Sequence, residues 1–228
     1  YKPAPEWPVN VKISKFEIIK VPPSWVWLRI HTDTEHTGLG EPYLENHADS
    51  VIAEVRRLEP FLIGKDPTRV EKLWKEMYES GSGYLGGPVK MSALSGIDIA
   101  LWDLAGKIAG QPLGQLLGGG KTSLPAYASL LKYQDPEVVA ERTGHALEQG
   151  YRLIKLHEST VEPVRAAREA AGDEVAIMLD VNCAWSPLEA GAIVPQLAEY
   201  RLHWLEEPVW PPENFQCLAE LRDAYGVP

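Results

Sequence analysis

The sequence predicts an α/β protein, and three features of its patterning predict it. An opening stretch alternates apolar and polar residues. A middle stretch switches to apolar spacings of three and four. From about residue 121 onward, short apolar runs exchange regularly with amphipathic ones. The first two features make an α+β domain over residues 1–120, a β-meander plus helices. The third makes parallel strands crossed by helices over residues 121–228, the first half of a TIM-type (β/α) barrel.

Val11 to Val21 is β-rich, and Pro22-Pro23 breaks it. Trp25 to Thr32 alternates, with Trp25, Trp27 and Arg29 against Val26, Leu28 and Ile30. Asp33 to Gly38 reads as a turn and Leu39 to Leu44 as a third strand. Over residues 48–62, Val51, Ile52, Val55, Leu58 and Leu62 recur at helical spacing. Asp66-Pro67-Thr68 starts a second helix carrying Val70, Leu73, Trp74 and Met77, and Gly81 to Gly87 reads as a flexible loop. The clearest helix covers residues 91–109. Met91, Leu94, Ile97, Leu101, Leu104 and Ile108 form one stripe, Gly110 ends it, and Ser95, Asp98 and Asp103 are expected on solvated faces.

Four β–α units follow. Strands are expected over Leu124 to Leu130, Arg152 to His157, Val175 to Asn182 and Leu202 to Glu206. The helices that follow them run over Pro136 to Gln149, Val161 to Ala171, Leu188 to Tyr200 and Phe215 to Tyr225. Short loops between such elements are the mark of parallel strands with helical crossovers.

Composition excludes several function classes. A net charge of -10 argues against nucleic acid or an anionic membrane as partner. No apolar run reaches membrane-spanning length, and the first residues lack a signal-peptide pattern. Cys183 and Cys217 have no metal or disulfide spacing, so both are expected as packed thiols in a reducing cytoplasm. Gly119-Gly120-Lys121-Thr122 is superficially like a phosphate-binding loop. That motif needs a glycine where Gln115 stands, and it should follow a strand and open a helix, whereas here the order is reversed.

Chemistry gathers at the ends of three consecutive strands: Ile154-Lys155-Leu156-His157, Leu179-Asp180-Val181-Asn182 and Leu205-Glu206-Glu207-Pro208. Barrel active sites sit at the C-terminal ends of the strands. Residues i and i+2 of a strand share a face, so Lys155 is expected beside His157, and Asp180 beside Asn182. The neighbours Glu206 and Glu207 point apart, leaving one for the barrel mouth. Asp180 and one glutamate offer hard oxygen ligands, which favour Mg²⁺ over softer metals. A magnesium ion held so can neutralise charge on a substrate carboxylate as the adjacent proton leaves. An amine or imidazole beside it is the base.

With these strings in this order, the chain resembles the enolase superfamily, in its mandelate racemase/muconate lactonizing enzyme group. The front half carries the likeness too. Pro22-Pro23-Ser24-Trp25, Gly40-Glu41-Pro42, Leu62-Ile63-Gly64-Lys65-Asp66-Pro67 and Ser92 to Asp103 look most like the capping domain of galactonate dehydratase-like acid-sugar dehydratases. The resemblance implies a Mg²⁺ cofactor with Asp180 and Glu206 as ligands, the 26-residue step between them selecting Glu206 over Glu207. It places Lys155 on the first lysine of a Lys-x-Lys motif, contacting the substrate carboxylate. His157 falls on the second, the usual base on one face, and Asn182 on a substrate-contacting position. Two departures stand out. His157 replaces a lysine, which disfavours symmetric racemisation. Asn182 replaces the histidine of galactonate dehydratases that protonates the departing hydroxide.

A full barrel takes about 250 residues. With four β–α units after the cap, the chain is expected to be part of a longer one, cut before the fifth strand. The resemblance implies a third metal ligand a few residues past Pro228 and a His–Asp dyad later. The expected function is a magnesium-dependent lyase that dehydrates an acid sugar, acting as a homo-oligomer on a small carboxylate substrate. The alternatives are a racemase, epimerase or cycloisomerase of the same superfamily, or a non-catalytic acid-sugar binder, with Trp25 and Tyr43 of the cap against the sugar.

Overall fold

The computed structural model describes residues 10–22, 25–80 and 87–226. Pro23 of the expected strand break, Ser24, residues 81–86 of the expected loop, and Val227-Pro228 lie outside the described residues. The chain divides into two compact units, Tyr1–Thr122 and Ser123–Pro228, each with its own apolar core.

In the first unit, β1 (Ile13–Val21), β2 (Trp25–Thr32) and β3 (Thr37–Gly40) form an antiparallel meander in that order. Pairing of Phe16 with Ile30 and Ile18 with Leu28 fixes the register. Period two then sends Val26, Leu28 and Ile30 inward, fully buried, while Trp25 and Trp27 stand on the exposed face. The third strand lies earlier than the expected Leu39 to Leu44. It occupies Thr37–Gly40, where Thr37 pairs with His31 and Gly40 with Leu28. Pro42 has no N–H to donate, so the ladder ends before it.

Three longer helices follow; the first and third pack on this sheet, and the second packs on the third. The first, α1 (Ala48–Leu58), is shorter than the expected 48–62. Pro60 cannot donate to the preceding turn, and the chain tightens into a 3₁₀ turn at Glu59–Phe61. Next, α2 (Val70–Glu79) starts after Asp66-Pro67-Thr68, because the Asp66 carboxylate accepts from both the N–H and the hydroxyl of Thr68 and holds a separate turn. The long α3 (Pro88–Ile108) opens on proline, as a first helical turn allows. Its buried stripe is Ala93, Leu94, Ile97, Ala100, Leu101 and Leu104. Met91, expected in the stripe, is 37% exposed, and Ile108 only packs at its margin. Asp103 is no free surface acid, since it accepts from the Leu39 N–H at 2.8 Å and the Lys107 ammonium at 2.6 Å. Asp98 is half-buried, and burial pushes its carboxyl up from the ordinary value. A short helix α4 (Leu113–Leu116), not legible in the pattern, follows.

The second unit alternates strictly: β4 (Ala128–Ser129), α5 (Pro136–Glu148), β5 (Leu153–Leu156), α6 (Val161–Ala171), β6 (Ala176–Asp180), α7 (Pro187–Leu197), β7 (Leu205–Glu206) and α8 (Phe215–Tyr225). The strands are parallel and in sequence order. Each of α5, α7 and α8 begins at a side-chain cap: Asp135 on the Glu137 N–H, Ser186 with Glu189 in a capping box, and Asn214 on the Cys217 N–H. The strands are shorter than expected. Leu124, expected to open β4, is 73% exposed. Regular pairing is limited to the last few residues, although single ladder bonds reach further. His203 N–H donates to the Ile177 carbonyl at 2.7 Å and Leu179 N–H to the Trp204 carbonyl at 3.1 Å. Buried Arg168 ties α6 to the following loops by donating to the carbonyls of Gly172, Val175, Tyr200 and Arg201. Among the described residues, no helix is long and apolar enough to cross a membrane.

The backbone of β3 rests directly on α3. A Cβ built on Gly40 would sit 2.0 Å from the Gly96 carbonyl oxygen, and one on Gly38 would sit 2.1 Å from that of Ala100. Both obstacles are backbone, so no rotamer change relieves them. Gly40→Ala should therefore cost at least the 1–3 kcal/mol typical of overpacking, roughly. Gly144→Ala, in α5 with nothing within 4 Å of the added atom, should stabilise by about 0.5–1 kcal/mol. Urea unfolding midpoints of the two variants should move in opposite directions.

Candidate active site

Three charged side chains from three adjacent strands meet beyond the C-terminal end of the second unit's sheet. Asp180 and Glu206 are lateral partners in the β6–β7 ladder, so their side chains leave the sheet side by side. Lys155 comes from β5, two positions short of the level of Asp180, and its length closes that gap. Its ammonium donates to Asp180 Oδ2 at 2.9 Å and to Glu206 Oε1 and Oε2 at 3.2 and 3.1 Å. The side chains of Lys155 and Asp180 are 10% and 7% exposed, and Glu206 is more open at 38%. Burial is the largest influence on Lys155 and disfavours its charge, but the two carboxylates together outweigh it and hold the amine above the ordinary lysine value. Lys155 is therefore an ammonium here. The other nitrogen base of the cluster is the His157 imidazole.

His157 lies one residue past β5 and is half-buried. Its Nδ1 is 2.5 Å from the Leu130 carbonyl oxygen. A carbonyl can only accept, so Nδ1 carries a hydrogen, and in the neutral ring the lone pair is then on Nε2. Nε2 is 3.5 Å from Asp180 Oδ2, the oxygen that Lys155 also contacts. The strand argument thus places Lys155 and His157 together, and the structure brings both to one carboxylate.

Asn182 meets Asp180 by a different route from the one expected. The strand ends at Asp180, and Asn182 takes a left-handed backbone, φ 51°. Asparagine tolerates that conformation. Its N–H and its side-chain amide donate to Asp180 Oδ1 at 3.0 and 2.7 Å. The pairing is an Asx-type turn rather than a shared strand face. One oxygen of Asp180 is thereby held by Asn182, and the other is left to Lys155 and His157.

Glu206 and Glu207 diverge as expected. Trp204 Nε1 donates to Glu206 Oε2 at 3.0 Å, steadying the carboxylate from two residues back. Glu207 has φ 46° and lines a separate cavity of about 390 Å³ with Phe215, Leu218 and Arg222. Cys183 is half-buried rather than packed away, and burial followed by the Glu207 carboxylate pushes its thiol up. Cys217 is buried. Trp25, 51% exposed, and half-buried Tyr43 belong to the first unit, whereas the charged cluster belongs to the second.

Sequence reasoning missed three contributors. Trp204 was detectable, because it sits two residues before Glu206 in a strand-like run. Glu158, buried to 1% exposure, accepts from the backbone N–H groups of Tyr133 and Gln134. Trp185 donates its indole N–H to the Ser159 carbonyl at 3.0 Å. Neither of these two has a local pattern that gives it away, since each acts on backbone distant in sequence.

Among the described residues, no group of three or more carboxylate, imidazole or thiol side chains is arranged to hold a metal. Two carboxylates do converge on one positive charge, the Lys155 ammonium, which marks a point that a cation can occupy. Hard divalent cations such as magnesium are commonly held by one or two protein carboxylates, with water and substrate oxygens completing the shell. The donor set present fits that pattern.

Comparison with known proteins identifies the family of the chain. Residues 6–118 match the family model for the mandelate racemase / muconate lactonizing enzyme N-terminal domain, and residues 138–228 match the enolase C-terminal domain-like model. An enolase from Pantoea ananatis, solved with D-gluconate and magnesium bound, is 27% identical with a TM-score of 0.85, over 96% of this chain and 65% of that one. The 3,6-anhydro-D-galactonate cycloisomerase from Zobellia galactanivorans is 31% identical with a TM-score of 0.85, over 95% of this chain and 64% of that one. A putative galactarate dehydratase from Agrobacterium radiobacter, with sodium and L-malate bound, is 25% identical with a TM-score of 0.83, over 95% of this chain and 60% of that one. The chain thus spans somewhat under two thirds of the length of these relatives.

Removing Lys155 leaves two neighbouring carboxylates, one of them buried, without their cation. Lys155→Met should destabilise the chain by about 3–5 kcal/mol in urea unfolding at neutral pH, discounted somewhat for the openness of Glu206. The pH dependence has a definite sign. Because the folded-state value of Lys155 is raised, its contribution is complete below the ordinary lysine value of about 10.4 and is lost as pH climbs through the raised one. Unfolding measured on a rising alkaline series should show this loss in the parent chain and not in Lys155→Met.

Proposed function

We propose that this chain, which belongs to the mandelate racemase/muconate lactonizing enzyme group of the enolase superfamily, carries the metal-binding and proton-abstracting part of a magnesium-dependent acid-sugar dehydratase. One observation carries the reading: a carboxylate pair on adjacent strand ends converges on a single cation, with the His157 imidazole Nε2 at 3.5 Å from Asp180 Oδ2.

In this reading, Asp180 and Glu206 hold the ion. Bound there, magnesium supplies a Lewis acid that offsets the negative charge developing on the substrate carboxylate. The chain's own groups do the rest. Asn182 and Trp204 orient the two ligand carboxylates through the hydrogen bonds described above. Lys155, held as an ammonium, pairs with the substrate carboxylate and biases it toward the cluster. His157 Nε2 takes the proton from the carbon next to that carboxylate. The C–O bond at the following carbon then breaks, and the imidazolium can return its proton to the departing hydroxyl as water. The enol left behind becomes a 2-keto-3-deoxy acid. Asn182 has no proton to give at this step, so the acid role falls to His157 or to a group outside this chain.

The bound gluconate and magnesium of the Pantoea protein and the name of the Agrobacterium one support an acid-sugar substrate. The 31% identity to a cycloisomerase supports a second reading, in which the same proton abstraction opens or closes a ring without loss of water.

The protein carrying this chain, with magnesium, should convert at least one member of an aldonic and aldaric acid panel to a 2-keto-3-deoxy acid. Deuterium from solvent entering recovered substrate, with no keto acid formed, would favour the isomerase instead. His157→Asn should lower turnover by about 10²–10⁴-fold while leaving calorimetric magnesium binding intact. Asp180→Asn and Glu206→Gln should each weaken magnesium binding by more than the roughly 10–100-fold seen for groups that only support ligands.

A further inference from the structure

We infer that Glu158 is a positioning residue for His157, acting through the loop of residues 130–134 to fix which imidazole nitrogen faces Asp180. The chain of contacts is short. His157 is oriented by one hydrogen bond, from Nδ1 to the Leu130 carbonyl. That carbonyl belongs to a loop between β4 and α5 in which Leu131 is 72% exposed and Lys132 is exposed, so core packing does not hold the loop at its centre. Its two ends are held instead. At the front, Leu130 N–H donates to the Lys155 carbonyl at 2.8 Å. At the back, the Glu158 carboxylate accepts from Tyr133 N–H at 2.8 Å and from Gln134 N–H at 3.1 and 3.2 Å.

Both anchors spring from β5 and the residues just after it. The segment that carries Lys155, His157 and Glu158 therefore grips the loop that in turn orients His157. Gln134 sits at φ 64°, an unfavourable backbone for glutamine, and its N–H is one of the two that Glu158 holds. A buried carboxylate with charge-assisted bonds to two backbone N–H groups is a strong and costly arrangement to lose. Nothing else among the described residues uses this carboxylate.

In water, neutral imidazole exchanges freely between its two tautomers. The Leu130 carbonyl selects the one with hydrogen on Nδ1, and this leaves the Nε2 lone pair toward Asp180. If the loop relaxes, the selection weakens even though His157 itself is unchanged. The inference builds on the base role proposed for His157, but its test reads the tautomer and not turnover. It can fail while the function stands, and it can hold if the function fails.

The test is nitrogen-15 NMR of the His157 ring along a rising pH series, read where its two nitrogen signals have stopped changing. The parent chain should show hydrogen on Nδ1. Glu158→Gln keeps the shape and one acceptor oxygen but turns an N–H₂ toward Gln134 N–H. It should shift the ring to a tautomer mixture, with far-ultraviolet circular dichroism unchanged and with more than about tenfold faster amide exchange at Tyr133 and Gln134. Retention of the Nδ1–H form in a folded Glu158→Gln chain would overturn the inference. If that variant does not fold, the parent decides. Tyr133 and Gln134 amides that exchange at unprotected rates while His157 stays in the Nδ1–H form would overturn it equally, and protected amides together with that form would support it.

Discussion

The contact between the Lys155 ammonium and the carboxylates of Asp180 and Glu206 is the constraint around which the second unit's working edge is organised. A lysine this deeply buried is unfavourable alone, as are two carboxylates side by side. Each is tolerable only because the other is there. The arrangement requires the three strands to be parallel, adjacent and in a fixed register, since a one-residue slip of β6 or β7 would send a carboxylate to the opposite face. Electrostatics at the edge and register in the sheet therefore enforce one another.

Backbone bonds carry that constraint into the loops. Cys183 N–H donates to the Glu207 carbonyl at 2.7 Å, and Trp210 N–H donates to the Trp185 carbonyl at 2.9 Å, which joins the loops after β6 and β7. The Trp185 indole reaches back to Ser159 in the loop after β5, and Glu158 reaches to the loop after β4. Each strand-end loop is thus fastened to the next by at least one specific bond. Several of its residues (Asn182, Cys183, Glu207) keep left-handed backbones that an unfastened loop would shed. Rigid support of this kind is what a site needs if a proton is to move between groups placed to within a few tenths of an ångström.

The fold was largely legible because its signals are local. Alternation in Trp25 to Thr32 and the three-and-four spacing of Leu94, Ile97, Leu101 and Leu104 each record burial on one face, and burial is what the structure shows. Element ends were read less well for a physical reason. Pro42 and Pro60 stop elements by removing a donor, and Asp66 makes a turn of its own, whereas hydrophobic pattern is blind to donors and acceptors. Within the cluster, i and i+2 spacing found Lys155 with His157. It found Asp180 with Asn182 only by coincidence, because a turn joins them. The partners that set the geometry, the Leu130 carbonyl and the Glu158 carboxylate, are invisible to any local pattern. A backbone carbonyl has no letter of its own, and an acid that binds distant amides looks like any other acid.

The formal charge of the cluster bears on what it can hold. Two carboxylates and one ammonium sum to a single negative charge in a partly buried setting, and an anionic ligand alone would be repelled there. In the proposed function, a divalent cation turns that balance positive by one, which a single substrate carboxylate then neutralises. Metal and acid substrate are each incomplete without the other at such a site, and a neutral sugar would leave the positive charge unmatched. Under that proposal, selectivity for acids over neutral sugars would follow from the charges of Lys155, Asp180, Glu206 and the bound cation together, before any contact with the sugar hydroxyls is considered.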